Sequence, residues 1–330
     1  MRLIGFAVCP ALLMAVAFAA PSSAFAQAPK PSSVVGYLGI SAPTTPSVAR
    51  LLDAFRLGLR EAGWIEGRTL RIELRWSEGR PERFTELARE LVRLKADVIV
   101  TAGSQATQAA KEASTTIPIV FVGVGNPIGA GFVASLARPG GNVTGVTNQF
   151  SDLNGKWLQI AREAVPGLRR VAILWSPADQ SSAVSFKEAQ ESYPAHGVKV
   201  ISAAVRSPED VDGVFDVLSR GRPDFLMVHP SPVIFFHRQR VAEFALRHRL
   251  PTSTGQRGMV EDDSMMMSYG PDAADLFRRA AVYVDISKHA GRVNGESIVV
   301  EQLAARSSAH LLGWTTARIP RYALGGERRS

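Results

Sequence analysis

The sequence predicts an α/β protein of two lobes, each built on a parallel sheet. Three observations carry that expectation. Short β-branched apolar runs alternate with amphipathic stretches, the mark of βαβ units around a parallel sheet. The alternation runs through the chain twice. Once a leader is set aside, about 300 residues remain, more than a single hydrophobic core usually serves.

The leader is read from the first residues. Arg2 is followed by an uncharged run from Leu3 to Ala20, and Ala24-Phe25-Ala26 then presents small side chains before Gln27. A basic start, an apolar core and an Ala-x-Ala exit describe a secretory signal peptide covering residues 1–26. An uncleaved membrane anchor is the competing reading, because the uncharged run is long enough to span a bilayer. Pro10 interrupts it, and the cleavage-type exit follows directly, which favours removal and a periplasmic mature chain. The single cysteine, Cys9, lies inside the leader behind Val8, a poor context for lipidation. The mature chain therefore has no thiol for disulfides, thiolate metal sites or nucleophilic chemistry.

Apolar residues make up 46% of the chain and the formal net charge is +8. The excess is scattered arginine. Arg83, Glu86, Arg89, Glu90 and Arg93 mix signs at helical spacing, as on a solvated helix face, so a nucleic-acid partner is not expected.

Strands are expected at 34–40, 69–76, 97–102, 117–123 and 143–147, with helices between them. Leu51, Leu52, Phe55 and Leu59 recur at helical spacing, as do Phe84, Leu87, Ala88 and Leu91, giving each helix one buried stripe. Pro46 and Pro81 suit a first helical turn. The second passage reads as strand 171–175, helix 182–193, strand 199–205, helix 208–219, strand 225–229, helix 235–248, strands 251–254 and 265–269, and a helix from 272 to about 289. Asp97 and Asp224 each precede a strand, and Pro118 and Pro251 each open one, so the lobes read as duplicated halves. The first lobe is expected to take residues 33–148 and about 271–299, and the second 149–270 and about 300–330.

In open parallel sheets ligands bind beyond the carboxyl ends of the strands, where helix N-termini offer free N–H groups and positive dipole ends. The turns there carry Ser41, Gly103-Ser104-Gln105 and Asn126 in the first lobe. In the second they carry Ser176, Ser231, Gln256 and Tyr269. These residues are rich in hydroxyls and amides and poor in acids and bases, which suits binding a small molecule. Each also has a plain reading as a helix cap. Gly103 lifts its turn above that reading, because a glycine lets a ligand approach the backbone at a helix start.

Catalytic patterns are scarce. No Gly-x-Ser-x-Gly elbow, His-Glu-x-x-His pair or lysine-bearing phosphate loop occurs, and Gly123-Val124-Gly125 lacks the third glycine and the position of a dinucleotide fingerprint. His229 ends a strand without an obvious orienting partner. Glu261-Asp262-Asp263 reads as a solvated turn and Met265-Met266-Met267 as core packing. No enzyme activity, cofactor or metal is expected.

Larger runs are more specific. Gly58-Leu59-Arg60-Glu61-Ala62-Gly63-Trp64, Leu94-Lys95-Ala96-Asp97-Val98-Ile99-Val100, Ile117-Pro118-Ile119-Val120-Phe121-Val122-Gly123-Val124-Gly125-Asn126-Pro127, Arg138-Pro139-Gly140-Gly141-Asn142-Val143-Thr144-Gly145 and Ser268-Tyr269-Gly270-Pro271-Asp272 lie along 34–285. In combination they resemble the ABC-transporter substrate-binding family that includes tryptophan- and tyrosine-binding proteins. The resemblance implies a type I periplasmic-binding architecture. Two Rossmann-like lobes would be joined by three crossovers and close on an amino-acid-like ligand, with a membrane permease as partner and a monomer in solution. It also implies that Gly103-Ser104-Gln105 helps hold a ligand carboxylate and that Asn148 lies near the hinge. Asn126 and Ser231 stand where relatives often carry an acid, and the loss of both negative charges weakens the case for a zwitterionic α-amino acid and leaves room for a carboxylate, an aromatic acid or a neutral amide. A secreted enzyme in the same cleft would need a nucleophile and base that are not visible. A regulator of the same fold is disfavoured by the leader and by the absence of a helix-turn-helix.

Overall fold

The computed structural model describes residues 33–148, 153–229, 231–289, 301–302 and 305–309. The leader read at 1–26 and the end of the chain after 309 lie outside them.

The first lobe runs β1 (Ser33–Gly39), α1 (Pro46–Glu61), β2 (Leu70–Trp76), α2 (Arg83–Arg93), β3 (Val98–Ala102), α3 (Ser104–Ala113), β4 (Ile119–Val124) and β5 (Val143–Thr147). The second runs α4 (Asn154–Ala164), β6 (Arg170–Trp175), α5 (Gln180–Ser192), β7 (Lys199–Ala204), α6 (Asp210–Gly221), β8 (Phe225–Val228), α7 (Pro232–Phe236), α8 (Arg238–Arg247), β9 (Thr252–Thr254), α9 (Arg257–Glu261) and β10 (Met267–Pro271). The chain then returns as α10 (Ala273–His289), which packs on α1 and β4 of the first lobe. Two short strands follow, β11 (Glu301–Gln302) and β12 (Ala305–Ala309).

The strand orders, β11-β5-β4-β3-β1-β2 and β12-β10-β9-β8-β6-β7, repeat one topology. All pairs are parallel except β12, which runs antiparallel to β10 at the edge of the second sheet. Among the described residues the chain thus passes between the sheets after β5, after β10 and between β11 and β12.

Parallel sheets are covered on both faces, so their central strands are apolar throughout. In β3, Val98 and Val100 enter the core shared with α1 and α10, whereas Ile99 enters the core shared with α2 and α3. Likewise Val171 and Ile173 of β6 point to one face of the second sheet and Ala172 and Leu174 to the other. Each large apolar side chain removed from water in this way contributes roughly 1.5–3 kcal/mol. The duplicated aspartates do equivalent work: Asp97 accepts the Val34 N–H at 2.8 Å, and Asp224 accepts those of Arg169 and Arg170 at 3.0 and 2.8 Å. Each ties the entry of its lobe's third strand to that of the first.

Several elements differ from the sequence reading, which has no counterpart to the short strands β11 and β12. The helix expected over 235–248 is divided at His237, where ψ is 14°. The helices α4 and α9 are additional.

The return helix α10 makes a close backbone contact with α1 in the first lobe. At Gly58, in the middle of α1, a Cβ would stand 2.1 Å from the Arg278 carbonyl oxygen and 2.8 Å from the Ala281 Cβ. Propensity alone makes alanine better than glycine inside a helix by about 1 kcal/mol. We expect the packing to reverse that sign, with Gly58→Ala lowering stability by about 1–3 kcal/mol in urea unfolding at unchanged m. A gain in stability would show that α1 and α10 separate freely.

Candidate functional site

The carboxyl ends of the two sheets face one another, and the turns that follow them enclose a cavity of about 140 Å³. Its apolar wall is aromatic and aliphatic, with Tyr37, Trp76, Phe235 and Phe277 beside Leu51, Leu52 and Leu276. The Tyr37 and Trp76 rings lie 5.2 Å apart at 57°, so strand β1 and strand β2 present one tilted aromatic surface. Burial pushes the Tyr37 phenol upward, and it stays neutral.

The polar groups come from strand ends and helix starts. Gly103 ends β3 at φ 86°, a conformation that favours glycine, and its missing side chain leaves open space above the first turn of α3. Asn148 follows β5. Its Nδ2 donates to the Gly123 carbonyl at 2.8 Å, and its buried Oδ1 has no hydrogen-bond partner. Gln256 follows β9 with a buried Oε1 in the same condition. Asp179 caps α5, accepting the Ser182 N–H at 2.9 Å on Oδ1. Burial raises its pKa to about 6, against the pull of the Ser182 and Ser181 N–H groups. Among the described residues it is the only carboxylate on the cavity wall, and no Lys, Arg or His lines the cavity.

Ser41, Gly103, Ser104, Asn148, Ser231 and Gln256, all singled out in the sequence, meet on this wall. The other four do not line it. Gln105 points along the lobe boundary, where its Nε2 donates to the Ala178 carbonyl at 2.8 Å. Asn126 caps its own turn by accepting the Gly129 N–H at 2.8 Å. Ser176 is fully buried behind the α5 turn, with its N–H bonded to Ser182 Oγ at 3.1 Å. Tyr269 packs beside the Trp157 core and accepts that indole N–H on its carbonyl at 2.8 Å. Asp179 and Ser181 were missed by sequence reasoning. Their turn was in view, but a cap in sequence says nothing of what stands across from it.

The family model for ABC transporter substrate binding proteins matches residues 40–288. The chain belongs to that family. A curated relative, the tyrosine-binding protein of Clostridioides difficile, is 23% identical over 220 residues, covering 67% of this chain and 63% of that protein. The chain thus spans under two thirds of that relative's length. A conserved domain protein of Vibrio cholerae has a similar solved structure, with a TM-score of 0.79, 23% identity and coverage of 89% of this chain and 97% of that one. The ABC domain of Streptococcus pneumoniae in complex with L-Trp has a TM-score of 0.77, also at 23% identity, with the same coverage. At that identity the two structures establish the type I periplasmic-binding fold.

Substrate-binding proteins of this architecture work with two lobes around a cleft, and here the lobes are in contact. Ser181 Oγ lies 2.9 Å from Ser104 Oγ and accepts the Gly125 N–H at 3.1 Å. Gln180 Nε2 donates to the Gly129 carbonyl at 2.9 Å. On the other side of the cavity, Asp262 accepts the Ser47 N–H at 2.9 Å, at the start of α1, and Arg50 pairs with Glu261. Arg238 donates to Thr45 Oγ1 at 3.2 Å, while its Nε stands 2.9 Å from Asp263 Oδ2 as a buried ion pair. Burial raises the Asp263 pKa, opposed by the Arg238 charge. The acidic triplet is therefore not a solvated turn; it forms one jaw of a contact with the positive end of α1. Among the described residues no group of three or more His, Cys, Asp or Glu is placed to hold a metal ion, and no helix is long and apolar enough to cross a membrane.

His229 ends β8 behind the cleft, 1% exposed, with its ring 5.4 Å from that of Trp157. Burial lowers its pKa to about 4, partly offset by the Ser182 backbone. An unfolded histidine takes its proton near 6.5, so this contribution to stability is complete above that pH and is lost as pH falls toward 4. Relative to His229→Gln, the wild type should lose about 2.5 kcal/mol between pH 7.5 and pH 4.5, read by urea unfolding at the two pH values. An unchanged difference would mean that the folded state accommodates the imidazolium.

Proposed function

We propose that this chain is the extracytoplasmic solute-binding component of an ABC importer. It is exported by the leader at 1–26, captures a small amino-acid-like or carboxylate ligand by hinge closure, and offers the closed form to a membrane permease. The observation that carries this reading is the cavity itself, enclosed where the carboxyl ends of two parallel sheets meet and furnished with uncommitted acceptors and an aromatic wall. A tyrosine-binding relative and a tryptophan-bound structural neighbour support an aromatic amino acid among the ligands. The open space at Gly103 and the N–H groups of the first turn of α3 suit a ligand carboxylate. In this reading the first lobe is 33–148 with 271–302, since β11 pairs with β5 where the sequence reading ended that lobe at about 299, and the second is 149–270 with 305–309. They turn about the three passages between the sheets, and the protein acts as a monomer without catalysis.

Thermal-shift screening of the mature chain against amino acids, aromatic acids and short amides should find a stabilising ligand that is recovered unchanged. Formation of a product in those mixtures would overturn the reading. Closure should depend on the jaw contact: Asp262→Ala removes an acceptor far from the ligand and should weaken affinity about 3–10-fold by shifting the open–closed equilibrium. Isothermal titration of the stabilising ligand checks this, and unchanged affinity would show that the contact does not contribute to closure.

A further inference from the structure

We infer that Asp179 is the specificity determinant of the cleft, accepting the ammonium group of a ligand whose apolar body lies on the aromatic wall. The inference rests on the capture reading and adds the class of ligand. Asp179 is 4% exposed, and among the described residues no cation pairs with it. The N–H groups at the start of α5 stabilise its charge only in part, and a buried carboxylate left at that is costly. The rest of the wall offers acceptors in place of cations. Asn148 is 7% exposed, and its bond to the Gly123 carbonyl fixes which end of the amide turns toward Gly123. Its Oδ1 is thereby left as a buried acceptor without a partner, and Gln256 Oε1 is a second. A primary ammonium brings three donors and a positive charge and accepts nothing. That inventory complements a carboxylate and two amide oxygens. A ligand bearing only a carboxylate would bring a second negative charge into a cavity that no Lys, Arg or His among the described residues lines. The ligand class is thus a primary amine or α-amino acid on an aromatic or branched apolar body.

Two matched sets test this by titration calorimetry: phenylalanine, 2-phenylethylamine and 3-phenylpropionate, and leucine, isopentylamine and 4-methylpentanoate. Wild-type protein should bind the ammonium-bearing members of at least one set tenfold or more tighter than the acid. Asp179→Asn and Asp179→Ser both keep a good helix cap, and both should abolish that preference without weakening binding of the acid. Acid bound as tightly as amine by the wild type, or a preference that survives both substitutions, overturns the assignment while leaving the capture reading intact. A uniform loss for all ligands, acids included, makes Asp179 a structural cap and also overturns it. Failure of every compound to bind overturns the assignment and the amino-acid-like capture reading together.

Discussion

Parallel pairing is the constraint from which the cleft follows. Each strand of a parallel sheet must be re-entered from the same end, so the helices all begin near the carboxyl edge and deliver their free N–H groups there. Two such edges face one another here, which is why turns from seven strands and both lobes reach a single cavity. The apolar strand interiors keep those edges rigid. Ile99 and Ile119 are side by side in register and fully buried, so the turn at Gly103 is held by packing on both sides. The close approach of α1 and α10 does the same for the aromatic wall, because Phe277 and Leu276 reach the cavity from α10.

The cleft and the lobe contact share residues. Phe235 lines the cavity, and the Arg238 guanidinium lies over its ring at 4.5 Å while donating to its carbonyl at 3.0 Å. The same guanidinium reaches Thr45 in the first lobe and Asp263 in the second. The arginine also caps the end of α7 from the start of α8. Exposed ion pairs such as Arg50–Glu261 add little on their own. A buried pair is different, since removing one partner strands the other, at a typical cost of about 3–5 kcal/mol. Arg238 therefore connects the position of a cavity-wall ring to the contact between lobes.

The sequence made the scaffold legible because its signals are local. Strand and helix alternation, Asp97 and Asp224, and Pro118 and Pro251 all report on neighbours along the chain, and the structure uses each pair equivalently in its lobe. The residues that were hard to read depend on what lies across the cleft. Asn126 and Asp179 look alike in sequence, as polar residues at the start of a turn or helix. One folds back on Gly129 and the other lines the cavity. Glu261, Asp262 and Asp263 have the composition of a solvated turn, and only the position of α1 makes them a jaw. The helix α9 is a single turn with only Met259 and Val260 buried, too short for periodicity to mark.

The placement of Asp179 has a physical logic that the strand-end turns cannot supply. A carboxylate on a flexible turn would rotate toward solvent, whereas the bond from Ser182 N–H to Oδ1 holds this one in a single orientation at the positive end of α5. Burial and helix start then act in opposite directions on its proton. The balance, a pKa of about 6, leaves it largely ionised at neutral pH but incompletely compensated. Ser181, the third residue of that turn, reaches Ser104 and Gly125 of the opposite lobe. The residue bearing the charge and the residue touching the other lobe are thus adjacent on one helix start. A cation bound to the first would be bound on the element that closes against the second. Ligand charge and lobe closure are in this way tied to one turn of backbone, with no longer path required between them.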